Sequence, residues 1–341
     1  MRLLIIGSDK IFAIENFYVK YINAEGVIVH NFPAQTLFYD YYGKNVFNKL
    51  LFKANLSWIL IIINKKFKQE VIRFKPDAIL VFKGMEIFPD SLNWVKKRGI
   101  KLINYNPDNP FLFSGRGSGN RNIKNSIKLY DLHLTYNSDI KREMEDKYKI
   151  STAILPFGFD VSNELFEKCG KQQEIIKVCF LGNPDKHRSK FIHQLAEKGT
   201  SIDVYGNDWQ KFIDHPNVNI LQPIYGEDFW FALRKYRVQL NLMRPHNPDS
   251  HNMRSFEIPA IGGIQLAPLT ADHKLYFEPE KEIFLYKNVE DCVFQIKKIL
   301  ALPVNEANVI REQARQRSVS SAYSYKDRSK QALQQIEKLY E

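Results

Sequence analysis

Short, continuously apolar runs recur along the chain, each followed by a longer stretch of helical period. The first set is RLLIIG (residues 2–7), GVIVHNF (26–32), DAILVFKG (77–84), KLINYN (101–106), LHLTYN (132–137) and TAILPFG (152–158). Runs that are apolar on both faces are those of parallel strands covered by helices on either side. After the polar stretch VSNELFEKCGKQQE the rhythm restarts with IKVCFLG (176–182), SIDVYG (201–206), VNILQP (218–223), VQLNLMR (238–244), GGIQLAP (262–268) and EIFLYKN (282–288). The restart predicts a boundary, with one domain over 1–160 and a second over 161–320. From Asn305 onward the pattern is helical without strands, and a helix in 321–341 is expected to pack back on the first domain. The predicted fold class is α/β, with two Rossmann-like doubly wound domains facing a central cleft and C-terminal helices. Such sheets bind ligands beyond the C-terminal ends of their strands.

Composition narrows the class. A hydrophobic fraction of 44% fits a folded protein. Cys169, Cys179 and Cys292 form no CxxC pair and have no histidine at ligand spacing, so neither a disulfide framework nor a zinc site is expected and a reducing cytoplasm fits best. The N-terminal run lacks a cleavage pattern and reads as a first strand. The most apolar stretch, Leu56 to Ile63, falls short of the roughly 20 residues that span a bilayer. The formal charge of +11 is uneven: residues 1–160 hold 24 Lys/Arg against 15 Asp/Glu, the remainder 25 against 23. Basic surfaces attract phosphorylated substrates, anionic membranes or nucleic acid, and no nucleic-acid-binding motif is present, so no nucleic-acid partner is expected.

The richest segment for chemistry is LMRPHNPDSHNMRSFEIPAIGGIQLA, residues 242–267, where a strand carrying Arg244 ends in a polar loop leading to a short helix and a Gly-Gly turn. A helix start there would favour a diphosphate, with Ser250, His251, Asn252 and Arg254 adding donors. Asp249 and Glu257 could accept hydrogen bonds from sugar hydroxyls. A solvated loop with Ser/Asn caps is the plainer alternative.

At Asn252-Met253-Arg254-Ser255-Phe256-Glu257-Ile258-Pro259-Ala260-Ile261-Gly262-Gly263 the chain resembles the GT-B glycosyltransferases of the group 1 type, and most closely their spore maturation protein B-like (CgeB-like) branch. In group 1 enzymes a Glu, seven residues and a second Glu precede a similar small-residue helix; the second binds the donor ribose and the first approaches the donor sugar. Glu257 matches the second position, and Asp249, one methylene shorter, falls at the first. The resemblance extends to Glu282 and to Tyr325 and Arg328. In VCFLGNPDKHRSKFIHQLAEKG it implies close approach at Gly182 and a basic residue, Lys186 or Arg188, on the diphosphate. VYGNDW resembles a base-binding loop, with Tyr205, Gly206 and Trp209 at the nucleotide; core packing of either ring is the alternative.

In the first half KPDAILVFKG, GIKLINYNPDNPF, YDLHLTYNSD and ILPFGFD follow the order of a CgeB-like acceptor domain. Asp108, just beyond a strand end between Pro107 and Pro110, is the candidate base for an acceptor hydroxyl; an Asx-turn is its plain reading. Asp139 reads as a helix N-cap. The glycines of FSGRGSGNRN (113–122) lack the G-K-[ST] of a phosphate loop and read as a flexible active-site loop. The absence of G-x-G-x-x-G after the first strand speaks against a nicotinamide-dependent dehydrogenase. Residues 44–75 are helical in period, with Phe47, Leu51, Ala54, Trp58, Ile61 and Ile62 as an apolar face among lysines. That helix would suit an anionic membrane, although a core helix with snorkelling lysines is the favoured reading.

The resemblance implies metal-independent transfer of a sugar from a nucleoside-diphosphate sugar, with no cofactor, to a glycan, lipid-linked or protein acceptor in the synthesis of bacterial surface glycans. Arg254 and Asp108 would carry the chemistry, in the cytoplasm or at the inner face of its membrane. A nucleotide-sugar epimerase or hydrolase of the same fold, and a non-catalytic binding module, are the rivals.

Overall fold

The computed structural model covers residues 1–341 and describes all of them except Asn55, residues 114–117, His246 and Pro248. The chain divides into two compact units, Met1–Pro156 together with Tyr325–Glu341, and Phe157–Ser324.

The first unit is built on β1 (Arg2–Ile6), β2 (Ile28–Phe32), β3 (Ala78–Phe82), β4 (Lys101–Asn106), β5 (Leu132–Thr135) and β6 (Thr152–Ile154), all parallel, in the order β2-β1-β3-β4-β5-β6. Every residue of β3 is buried, as the continuous apolar run AILVF requires of a central strand. On one face Ile79, Val81 and Leu102 pack against Ile59, Ile63, Phe67 and Val71 of a helix. The terminal helix Tyr325–Glu337 lies against the helix Ile14–Ala24, where the rings of Tyr325 and Phe17 stack at 4.6 Å.

The second unit holds β7 (Ile175–Leu181), β8 (Ile202–Tyr205), β9 (Val218–Leu221), β10 (Tyr236–Leu240), β11 (Gln265–Pro268) and β12 (Phe284–Tyr286), again all parallel, in the order β12-β11-β10-β7-β8-β9. From the other edge this is the 3-2-1-4-5-6 order of a dinucleotide-binding sheet, with its switch point between β7 and β10. In the first sheet the corresponding point lies between β1 and β3.

The stretch 44–75 departs from the expected single helix. Val46–Lys53 and Ile59–Phe74 are separate helices, and the side chain of Asn45 caps the first by accepting the Asn48 N–H. The buried stripe of the second is Ile59, Ile63, Phe67 and Val71, whereas Phe47, Ala54, Trp58, Ile61 and Ile62 are exposed and Leu51 is half-buried. The run LSWILIII is apolar on every face, so its periodicity does not choose which face the sheet covers. Among the described residues no helix is long and apolar enough to cross a membrane.

Candidate functional site

At the switch point of the second sheet, Gly182 follows β7 and leads toward the helix Lys186–Glu197, whose N-cap Asp185 accepts the N–H groups of His187 and Arg188. Arg188 turns back over the sheet. Its Nη2 donates to the carbonyl of Leu242, just past β10, at 3.0 Å, and its Nη1 to the carbonyl of Asn183 at 3.3 Å. Burial, and after it the positive charges of Arg244 and Arg254, pushes its guanidinium down to about 10. Three guanidinium groups therefore share one neighbourhood, although Arg188 comes from a segment distant in sequence from that of Arg244 and Arg254. Arg254 sits 4.4 Å from the centre of the Phe229 ring and is ion-paired to Glu257 three residues on.

The Nε atoms of Arg188 and Arg254 are buried without a hydrogen-bond partner among the described residues. A buried donor left unmet costs about 1–3 kcal/mol. Two such donors beside mutually repelling cations are unfavourable for the protein alone and become favourable around a bound anion.

Glycine is required next to this cluster. A Cβ on Gly206 would lie 2.4 Å from the Gly182 carbonyl oxygen and 2.9 Å from Trp209 Nε1, so the loops after β7 and β8 approach closely only without one. Asn183 Oδ1 accepts the Asn207 N–H at 2.9 Å and locks the two loops together. Beyond them opens a pocket of about 510 Å³, lined by Asn183, Asn207, Asp208, Gln210, Gln222 and Pro223 among others. Sequence reasoning missed these amides, whose only signal was position at strand ends.

The rings expected beside a nucleotide are placed elsewhere. Trp209 is fully buried, donates from Nε1 to the Gly182 carbonyl at 2.9 Å and packs edge-on against Phe180. Tyr205 is half-buried, its hydroxyl meeting that of Tyr236, which donates to Asp203. Both rings build the unit; neither walls the pocket.

The loop before the helix Arg254–Ala260 is also more internal than expected. Ser250 and His251 are fully buried, and Ser250 Oγ and His251 Nδ1 both reach Asp272 Oδ2 at 2.8 Å. His251 Nε2 faces the Phe157 N–H, so Nδ1 carries the proton toward Asp272. Ser255 is buried and bonds His273 Nε2 at 2.8 Å, while His273 Nδ1 donates to the Pro268 carbonyl. Burial pushes His273 down to about 4, which keeps it neutral. Asn252 Oδ1 takes the Ser255 N–H, and Phe256 is fully buried against Tyr323. Ser250, His251, Ser255 and Phe256 thus brace the loop instead of offering donors at its surface, and the helix is only seven residues long. The positive charge at this end of the sheet therefore lies in the arginines more than in that helix start. His246 and Pro248 lie outside the described residues, Asp249 is exposed with φ +50°, and Lys186 and Arg244 are exposed. Glu282 is buried and paired with Arg317, a structural use.

The switch point of the first sheet holds a second charged cluster. Gly7 follows β1, and a Cβ there would lie 2.3 Å from Glu15 Oε1, so the missing side chain admits the Glu15 carboxylate, which accepts the Ser8 N–H at 2.9 Å. Lys83, after β3, has φ +61° and pairs with Asp108 at 2.5 Å. Glu86 is buried beside Lys83 and Glu15, and desolvation pushes its carboxyl up to about 7. Asp108 N–H also donates to Asn106 Oδ1, so the Asx-turn here is made by Asn106, while the Asp108 carboxylate, expected to make one in its plain reading, pairs with Lys83. Asp139 is not the cap: Asn137 accepts the Asp139 and Ile140 N–H groups, and Asp139 points to solvent with Arg142. Residues 114–117 of the glycine-rich stretch lie outside the described residues.

Residues 187–334 match the family described as Glycosyl transferase-like. The spore protein CgeB of Bacillus subtilis is 24% identical over 237 residues, covering 64% of this chain and 70% of that protein. Among solved structures, a sucrose-phosphate synthase from Thermosynechococcus elongatus superposes with a TM-score of 0.70 at 12% identity, covering 100% of this chain and 99% of the other. An α,α-trehalose 6-phosphate synthase from Burkholderia multivorans gives 0.67 at 10% identity, covering 99% and 98%. A UDP-GlcNAc 2-epimerase from Neisseria meningitidis, bound to UDP-GlcNAc, gives 0.60 at 12%, covering 99% and 100%. The matched region takes in Arg188, Arg244, Arg254 and Glu257, and together with two parallel Rossmann-like sheets, the fold shared with these solved structures, the similarities support a GT-B glycosyltransferase of the group 1, CgeB-like type.

Proposed function

We propose that the second unit binds a nucleoside-diphosphate sugar, with Arg188, Arg244 and Arg254 around the diphosphate. The observation that carries this is the convergence of three guanidinium groups at the switch point between β7 and β10, two of them with a buried Nε–H that makes no hydrogen bond among the described residues, although Arg188 Nε lies 3.7 Å from the Asp185 carboxylate. The amide-rich pocket beyond Gly206 suits the polar edge of a nucleobase, and Glu257, with one oxygen on Arg254, has its other available to a donor hydroxyl. As the glycosidic bond breaks, the leaving diphosphate gains negative charge, which the fixed arginines stabilise more strongly than they do the intact donor. No metal and no cofactor is needed in this scheme.

The acceptor, a glycan, lipid-linked or protein hydroxyl of a bacterial surface glycan, is assigned to the first unit. Asp108 takes its proton, oriented by Lys83, next to the buried Glu86 and Glu15 carboxyls, which desolvation shifts toward their neutral forms. A nucleotide-sugar donor places the reaction in the cytoplasm, in keeping with three buried free cysteines.

Incubation with nucleotide sugars in the presence and absence of glycan acceptors, followed by mass analysis, tests the reading. It expects nucleoside diphosphate to appear together with an acceptor heavier by one sugar. Epimerised or free sugar without acceptor would replace it with the epimerase or hydrolase reading, and tight donor binding with no product under any acceptor would reduce the chain to a binding module.

A further inference from the structure

In the first unit, the helices Val46–Lys53 and Ile59–Phe74 each turn one face inward. The first packs through Phe52 on Phe38 and Tyr42, at ring distances of 4.9 and 5.8 Å, and the second through Ile59, Ile63, Phe67 and Val71. The outward side is apolar where a solvated helix face is polar. Phe47 is 66% exposed, Leu56 65%, Trp58 71% and Ile61 52%, with Leu50 and Ile62 also exposed. Trp58, Ile61, Lys65, Lys68 and Ile72 follow one another at helical spacing, on the side opposite the buried stripe.

Charge selects the occupant. Residues 41–69 contain six lysines and neither Asp nor Glu. Lys44, Lys53, Lys65 and Lys66 are exposed around the apolar side chains. The two carboxylates that border this stretch are both paired, Asp40 with Lys10 and Glu70 with Arg73 and His30. We propose that this face docks on an anionic lipid bilayer, with Trp58, Phe47 and Ile61 entering the headgroup boundary and the lysines resting on lipid phosphates. Tryptophan beside lysine suits an interface that is apolar on one side and negatively charged on the other. A second copy of the same face is disfavoured, because apposing the two would bring twelve lysines together without a counter-charge. This surface lies outside the residues assigned to the donor and acceptor, so it stands or falls apart from the glycosyltransferase reading.

Sedimentation of the full chain with vesicles of phosphatidylcholine, alone or mixed in equal parts with phosphatidylglycerol, tests the proposal. The protein is expected to pellet with the mixed vesicles only, and less as salt rises. Lys65→Gln/Lys66→Gln should weaken partitioning roughly 30-fold, and Trp58→Ser/Ile61→Ser should abolish pelleting. Both variants should keep the wild-type melting temperature, the altered side chains being exposed. Failure to pellet with either vesicle, or pelleting unchanged by both variants, would overturn the proposal. So would a wild-type dimer that the Trp58/Ile61 variant converts to monomer, which would assign the face to a second copy.

Discussion

Glu86 is enclosed with Lys83, Glu15 and Tyr39 at the end of β3, and burial raises its carboxyl from 4.5 to about 7. The folded protein therefore holds that proton to higher pH than the unfolded chain does, so stability falls as pH rises from about 4.5 to about 7. Glu86→Gln, which copies the protonated form, is expected to match wild type at pH values below that window. Above it the variant should melt several degrees higher, the gain being at most about 3 kcal/mol. Equal melting temperatures at both ends would show that the group is not held neutral. Glu86 went unnoticed in the sequence because a lone Glu after a strand looks solvated; only the sheet brings Glu15 to it and to Lys83. Asp272 and His273 were missed for the same reason, since their partners Ser250, His251 and Ser255 come from a loop 18 to 22 residues earlier. The motif itself was legible: Arg254 and Glu257, three residues apart, fall on one helical face and pair there.

Elements were read more faithfully than side chains. All the strands of the two sheets lie in or overlap the predicted runs, since a strand buried on both faces leaves an uninterrupted apolar signature. The helices between 44 and 75 were not resolved into two, because a segment apolar all round has no period to interpret. How elements are tied to one another is invisible in the pattern. Glu174, just ahead of β7, receives Arg237 of β10 and Arg311 of the helix Val304–Ser320, both buried. Desolvation opposes its charge, but bonds from the two arginines outweigh that and hold the carboxyl down to about 2. Glu174→Ala would leave two buried guanidinium groups unpaired and is expected to cost about 3–5 kcal/mol in denaturant titration. A cost under about 1 kcal/mol, as for an exposed pair, would mean that the cluster does not tie these elements.

At the scale of the whole molecule, each unit holds a charged cluster at the switch point of its own sheet, where an open parallel sheet offers its strand ends to a ligand. The second unit has nearly balanced charge, so its anion site is local, made by Arg188, Arg244 and Arg254 rather than by a general basic field. The central claim is that these arginines hold the diphosphate of a nucleotide sugar. Calorimetric titration with UDP, GDP, CDP and dTDP, repeated on Arg188→Ala and Arg254→Ala, addresses it directly. One nucleoside diphosphate should bind the wild-type protein, and each substitution should weaken it by roughly 10- to 100-fold, the loss of one charge-assisted hydrogen bond of about 1.5–3 kcal/mol. Binding that survives both substitutions, or a folded protein that takes up none of the four, would contradict the account.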